Sequence, residues 1–126
     1  GAITAIHCCG DTDWAALAAC GSDILSVPLD RAQPDVVVPF LVSGGWIAWG
    51  AVPTDERPVP QDTAALTQRL WGCWRRLDCD LELVRRRALI TPACGLAFHT
   101  PGDAVAALTA ATALGCTVRD GLAGTA

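Results

Sequence analysis

Along this chain, short apolar runs alternate with longer amphipathic segments. Each apolar run is bounded by Gly, Pro, Asp or Arg, which predicts a short strand buried on both faces. The four predicted strands are residues 2–8, 23–28, 46–52 and 88–91. The segments that follow them carry apolar residues at helical spacing or good helix-forming residues. The four predicted helices are residues 14–20, 34–43, 64–77 and 103–114.

Local signals mark the ends of these helices. Asp62 or Thr63 can cap the longest helix, and four large apolar residues of that helix share one face: Leu66, Leu70, Trp74 and Leu77. The second helix begins at Pro34, a favoured first-turn residue, and Pro39 inside it predicts a kink or an early break.

The remaining segments are predicted to be irregular. Three prolines between residues 53 and 60 predict a loop. The run Arg85–Arg87 is typical of a solvated connection between a helix and a strand, although an anion site is the alternative interpretation. The end of the chain, residues 120–126, is predicted to be a frayed tail.

Four strand–helix units in succession predict a parallel sheet with right-handed crossovers, and such crossovers place every helix on the same side of the sheet. A (β/α)8 barrel covers the other side by closing on itself with eight units. The predicted fold is therefore α/β, a (β/α)4 half of a TIM barrel, with residues 1–126 as one domain. Gly50, inside the third strand, is expected to allow close packing.

Composition narrows the class of protein. The formal net charge is −4 and the pI is about 4.8, which argues against a surface for nucleic acid. The apolar runs are too short to span a membrane, and nothing resembles a signal peptide. The seven cysteines are an odd number in a core-rich chain, which favours reduced thiols and a cytoplasmic location.

The chain contains no Met and begins with Gly1, close to the start of a predicted strand. We therefore expect it to be a fragment of a longer protein. Half a barrel leaves open strand edges and an uncovered apolar face. The fragment is expected to associate with a second copy or to pair with a missing N-terminal half.

Three residues that can bind a soft metal lie at the ends of the first and last predicted strands. His7 and Cys9 are two positions apart, so on an extended strand they point the same way while Cys8 points opposite. Cys94 follows the last strand. One imidazole and two thiolates supply three of the four ligands of a tetrahedral zinc site, although a His-x-Cys pair alone is also compatible with simple packing.

Four segments together resemble the C-terminal catalytic barrel of the cobalamin-independent methionine synthase family. They are His7-Cys8-Cys9, Asp23–Val27, Trp49–Val52 and Thr91–Leu96. The resemblance covers nearly the whole chain and corresponds to the second half of that barrel. It implies a zinc-dependent methyltransferase that moves a methyl group from a methylfolate to homocysteine or a similar thiol. The small-molecule thiol and the methyl donor are the implied partners.

The resemblance also implies a ligand set. The family binds zinc with two cysteines, a histidine and a glutamate, which matches His7, Cys9 and Cys94, but Pro28 occupies the position of the glutamate. Asp30 is a candidate for the fourth ligand if the strand continues past Pro28; water or substrate is the alternative. Without the neighbouring strands, the fragment is expected to lack activity and to bind zinc weakly or not at all.

Two further residues are candidates for contact with substrate. Trp49, near the end of its strand, fills the core or forms a wall of a substrate pocket, and His99 contacts substrate or is an ordinary surface histidine. Two alternative functions stay open. One is a uroporphyrinogen-decarboxylase-like barrel, which needs no zinc, and the other is a non-catalytic zinc-binding or scaffold barrel.

Overall fold

A computed structural model describes residues 1–121, which form a four-stranded sheet and five α-helices. The strands are β1 (Ala5–His7), β2 (Ile24–Pro28), β3 (Trp46–Val52) and β4 (Ala88–Pro92). The helices are α1 (Trp14–Ala18), α2 (Pro34–Val42), α3 (Thr63–Arg75), α4 (Leu81–Arg86) and α5 (Pro101–Asp120). A short 3-10 helix, Leu29–Arg31, directly follows β2.

All four strands are parallel, and their order in the sheet is β1-β2-β3-β4. The predicted α/β fold with a parallel sheet is therefore confirmed. Each connection moves to the next strand in the same direction, and right-handed crossovers then place the helices on one face. This arrangement is compatible with half of a barrel. It also brings the carboxyl ends of all four strands to one edge.

The core lies between the sheet and its helices. Leu25, Val27 and Ile47 are buried on the strands, and the face of α3 predicted to be apolar is buried against them. The two largest buried side chains meet there, because the rings of Trp49 and Trp74 lie 5.9 Å apart at 54°. This tilted geometry is one that aromatic pairs prefer. The pair joins the longest strand to α3.

The opposite face of the sheet is less completely covered. Trp46 is 39% exposed on β3 and Leu89 is 40% exposed on β4, although both belong to strands. Leu89 is in register with Ala48, so these two residues and Trp46 share a face. Both outer strands, β1 and β4, pair on one side only. The described residues therefore leave an apolar surface and two free strand edges.

The strand predictions hold best in the centre of the sheet. The bounds of β3 are as predicted, while β1 is shorter than residues 2–8. Its partner strand begins only at Ile24, and before that point the Asp23 carboxylate accepts a hydrogen bond from the Thr4 amide at 2.8 Å. Residues ahead of Thr4 have no strand to pair with and lie exposed.

The helix predictions need three corrections. Arg85 and Arg86 belong to α4 rather than to a connection, since the Asp80 carboxylate caps this helix by accepting from the Glu82 amide. Helix α2 continues past Pro39 to Val42 instead of breaking early, although Pro39 lies inside the helix and its missing amide removes one hydrogen bond.

Helix α5 is longer than predicted at both ends. Thr100 caps it by accepting from the Asp103 amide, and Pro101 takes the first helical position. At its other end the helix includes Asp120, which was predicted to belong to the tail, and the remaining tail residues 122–126 lie outside the described part of the chain. Within residues 1–121, no helix has the length and apolarity that crossing a membrane requires.

Candidate metal centre

The structure brings together the three residues at the strand ends. One potential ligand atom from each of His7, Cys9 and Cys94 lies within 4.8 Å of the other two. His7 is the last residue of β1, and Cys9 follows it by two positions. Cys94 follows β4 by two positions. We refer to these three residues as the ligand cluster.

The position of Cys94 requires explanation, because β1 and β4 are the two outermost strands of the sheet. The chain leaving β4 turns back across the carboxyl end of β3, where the Ala93 amide donates to the Val52 carbonyl at 2.9 Å. A Cβ on Gly50 would lie 2.8 Å from the Cα of Ala93 and 3.1 Å from the Cα of Pro28. The close packing predicted for Gly50 is therefore confirmed, and it leaves room for the segment that carries Cys94.

The imidazole of His7 has a partner that sequence reasoning missed. Its Nδ1 lies 2.9 Å from the hydroxyl oxygen of Ser26. Ser26 is the residue paired with His7 in the parallel ladder of β1 and β2, so the two side chains stand side by side on one face. Only the register of the two strands, which the sequence does not state, identifies this pair.

The two thiols of the cluster interact with each other. A hydrogen bond to Cys94, followed by repulsion from the Cys94 thiolate, raises the pKa of Cys9 above its ordinary value. A divalent cation between the two sulfurs would relieve that repulsion and favour both thiolates. Cys8 lies outside the cluster and packs against the core. All seven cysteines are free thiols.

A cleft of ≈380 Å³ opens beside the ligand cluster at the carboxyl edge of the sheet. Cys9 and Cys94 line it together with the turn after β2 and the loop after β3. Two arginines on its walls are held by carboxylates: Arg31 pairs with Asp11, and Arg69 lies 3.5 Å from Glu56. The thiols therefore face a solvent-accessible space that is large enough for a small molecule.

Asp30 lies on the wall of this cleft but outside the ligand cluster. The prediction that it could be a ligand assumed that β2 continues past Pro28. The strand ends there, and Asp30 is part of the 3-10 helix instead. The alternation that would have pointed it toward His7 does not apply, and Pro28 itself has no ligand atom.

The two candidate substrate contacts are placed elsewhere. Trp49 is fully buried against Trp74 and does not line the cleft, so its placement supports a core role. His99 is half-buried, and its Nε2 lies 3.0 Å from the carbonyl oxygen of Thr54. A carbonyl only accepts, so Nε2 carries the proton. His99 thus ties the segment after β4 to the loop after β3, one of whose residues, Thr54, lines the cleft.

The chemistry and spacing of the ligand cluster fit zinc. Zinc binds cysteine sulfur at about 2.3 Å and histidine nitrogen at about 2.0–2.1 Å, so its tetrahedral ligands lie roughly 3.3–3.8 Å apart. The atoms of the cluster are at most 4.8 Å apart, and a contraction of about 1 Å brings them to that distance. Two thiolates and one imidazole leave one tetrahedral position without a protein ligand, which is the arrangement of a catalytic zinc site.

The fold and the ligand cluster define an α/β protein with a thiolate-rich candidate metal centre at the carboxyl edge of a parallel sheet. No protein-family model, curated protein or solved structure matches this chain. The function is therefore inferred from the geometry of the cluster and from the motifs that place it there.

Proposed function

We propose that this chain is part of a zinc-dependent methyltransferase of the cobalamin-independent methionine synthase type. The proposed reaction moves a methyl group from a methylfolate to the thiol of homocysteine or a similar small thiol. The observation that carries this proposal is the meeting of His7, Cys9 and Cys94 at one point, although their strands are at opposite edges of the sheet. Packing alone does not require three soft ligands to converge beside a cleft.

The three residues of the cluster are proposed to hold the zinc that activates the acceptor thiol. Cys9 and Cys94 would hold zinc as thiolates, and His7 would hold it through a neutral nitrogen. Bound zinc would supply the positive charge that favours the thiolate form of the acceptor, which is nucleophilic at neutral pH. The acceptor sulfur then bonds to the methyl carbon while the bond from that carbon to the donor nitrogen breaks. The donor nitrogen keeps the electron pair and takes up a proton.

The proposed zinc site has a fourth coordination position that no protein residue fills, and Pro28 is consistent with this. At this position the family resemblance implies a glutamate, and proline cannot replace it as a ligand. The substrate thiol can then bind without displacing a protein group. The proposed reaction also needs reduced thiols, which is consistent with the proposed cytoplasmic location.

Removal of either thiol of the cluster tests the metal site. We expect Cys9→Ser and Cys94→Ser to raise the zinc dissociation constant by more than about 100-fold, the upper end of the loss for an outer-shell partner. Competition of the full-length protein with a coloured chelator measures this constant. Cys20→Ser is the matched control, because Cys20 is an exposed cysteine outside the cluster and is expected to leave zinc affinity unchanged.

The reaction itself is tested on the full-length protein, because in the proposed half barrel the strands that complete the substrate site would belong to the rest of that protein. Methyl transfer to homocysteine is expected to stop after zinc removal by a chelator and to return when zinc is added. Methyl transfer that survives thorough zinc removal would overturn the mechanism. A decarboxylase of the same barrel type has no use for a thiolate cluster, which argues against that alternative.

A non-catalytic zinc-binding or scaffold barrel is the second candidate, and Pro28 is the observation that favours it. A site with three protein ligands binds metal less tightly than one with four. Zinc bound to the full-length protein without methyl transfer to any thiol would support this candidate. Absence of zinc from the full-length protein would favour a scaffold role without metal.

We also propose that the uncovered sheet face takes part in assembly, either with a second copy or with a missing N-terminal half of a barrel. Trp46 and Leu89 expose apolar surface there, beside two free strand edges. We expect sedimentation analysis of this chain to show a dimer, and Leu89→Asp to shift it toward the monomer. A stable, compact monomer at all concentrations would contradict self-association.

A further inference from the structure

We infer that Ser26 is a positioning residue for His7, and that it selects which imidazole nitrogen faces the ligand cluster. This inference rests on the metal site proposed above. Ser26 lies on β2 beside His7 in the strand register, and its hydroxyl oxygen is 2.9 Å from Nδ1. The contact occupies Nδ1, so Nε2 is the nitrogen left for a metal.

The direction of this hydrogen bond follows from what a metal requires. A nitrogen that binds a metal must offer a lone pair, so Nε2 carries no proton in the loaded site. The single proton of the neutral imidazole is then on Nδ1, which donates to the hydroxyl oxygen of Ser26. Ser26 thus fixes the orientation of the ring and accepts the Nδ1 proton of the metal-binding tautomer, as outer-shell partners of metal-binding histidines do.

The position of Ser26 makes it a reliable support. It belongs to a strand that pairs on both sides, with β1 and with β3, and its neighbours Leu25 and Val27 are buried in the core. His7, in contrast, ends the shortest strand, at the edge of the sheet. The imidazole of His7, at the edge of the sheet, is therefore held by the hydroxyl of Ser26, which lies on a strand paired on both sides.

The two histidines of this chain provide an internal comparison. His99 contacts the Thr54 carbonyl through Nε2, so its proton is on Nε2. When a metal occupies Nε2, His7 is expected to carry its proton on Nδ1, which the Ser26 hydroxyl oxygen can accept. Long-range proton–nitrogen NMR spectra of the zinc-loaded full-length protein show directly which nitrogen of each histidine carries the proton. This measurement does not depend on activity.

The experiment compares Ser26→Ala and Ser26→Thr with the protein that carries no substitution, called the parent below. In Ser26→Ala, the NMR spectra of the zinc-treated full-length protein are expected to show a smaller fraction of His7 in the Nδ1–H form, while His99 is unchanged. The zinc dissociation constant is expected to rise about 10–100-fold. Ser26→Thr keeps the hydroxyl and is expected to restore both the tautomer and the affinity. Ser43→Ala is the matched control, because the Ser43 hydroxyl bonds the Phe40 carbonyl instead.

The outcomes separate this inference from the metal proposal. A Ser26→Ala protein with the parent tautomer at His7 and the parent zinc affinity overturns the positioning role and leaves the metal site standing. A full-length protein that binds no zinc counts against the metal site, and the positioning role, which rests on that site, fails with it. A zinc-loaded protein without substitutions in which His7 carries its proton on Nε2 overturns the inference and leaves the metal site standing.

Discussion

Replacing Gly50 by alanine is expected to weaken zinc binding strongly without removing any ligand. The added Cβ would lie 2.8 Å from the Cα of Ala93, a backbone atom that cannot move aside like a flexible side chain. The segment that carries Cys94 must then shift away from β3, and the two thiols separate. We expect a loss of zinc affinity of more than about 100-fold, similar to that for loss of the Cys94 thiol itself.

The same substitution is expected to lower the free energy of unfolding by about 1–3 kcal/mol, the usual cost of overpacking a buried site. Urea unfolding followed by circular dichroism measures this change, and chelator competition measures zinc affinity. Gly95→Ala is the control, since Gly95 adjoins Cys94 but a Cβ added there would meet nothing within 4 Å beyond its chain neighbours. Parent-like zinc affinity in Gly50→Ala would show that the crossing segment does not position Cys94.

Truncation of Trp74 is expected to cause the largest loss of stability in this chain. Its ring is fully buried between α3 and the sheet, where it meets Trp49. Trp74→Ala removes these contacts and leaves a cavity, at a typical cost of about 3–5 kcal/mol. Small domains are commonly stable by only about 5–15 kcal/mol, so a substantial unfolded population is expected at moderate temperature.

Trp71→Ala provides the comparison on the same helix. Trp71 is only partly buried, and Arg75 lies over its ring at 5.7 Å from the centroid. Its truncation is expected to cost roughly 1–2 kcal/mol, within the usual range for a single substitution. Denaturant unfolding of both variants tests the ranking. Equal losses for Trp71→Ala and Trp74→Ala would show that the tryptophan pair is not the centre of the core.

The sequence was sufficient to predict the parts of the fold that depend on local pattern. The continuous apolar run of β3 and the spacing of Leu66, Leu70 and Trp74 predicted a buried strand and a helix face, and the structure shows both. The periodicity of strands and helices makes such patterns readable without tertiary information. The two cysteines and the histidine of the cluster were also identified from their positions at the ends of apolar runs.

The parts that the sequence could not supply depend on contacts between distant segments. The partner of His7 is fixed by strand register, and the role of Asp30 changed because β2 ends at Pro28. Helix α4 was missed because its six residues are too few for a clear period, although Asp80 supplied a capping signal. These features become visible only when the neighbouring strand or helix is in place.

The ligand cluster also has a consequence for the order of folding events. Cys9 and Cys94 are 85 positions apart in the sequence, and the cluster joins the first strand of the sheet to the segment after the last one. Closing a loop of that length in an unfolded chain is entropically unfavourable. A metal ion can therefore bind tightly only after all four strands have assembled. In the full-length protein, metal retention would then report complete assembly of this sheet, and a chelator would lower the resistance of the protein to unfolding.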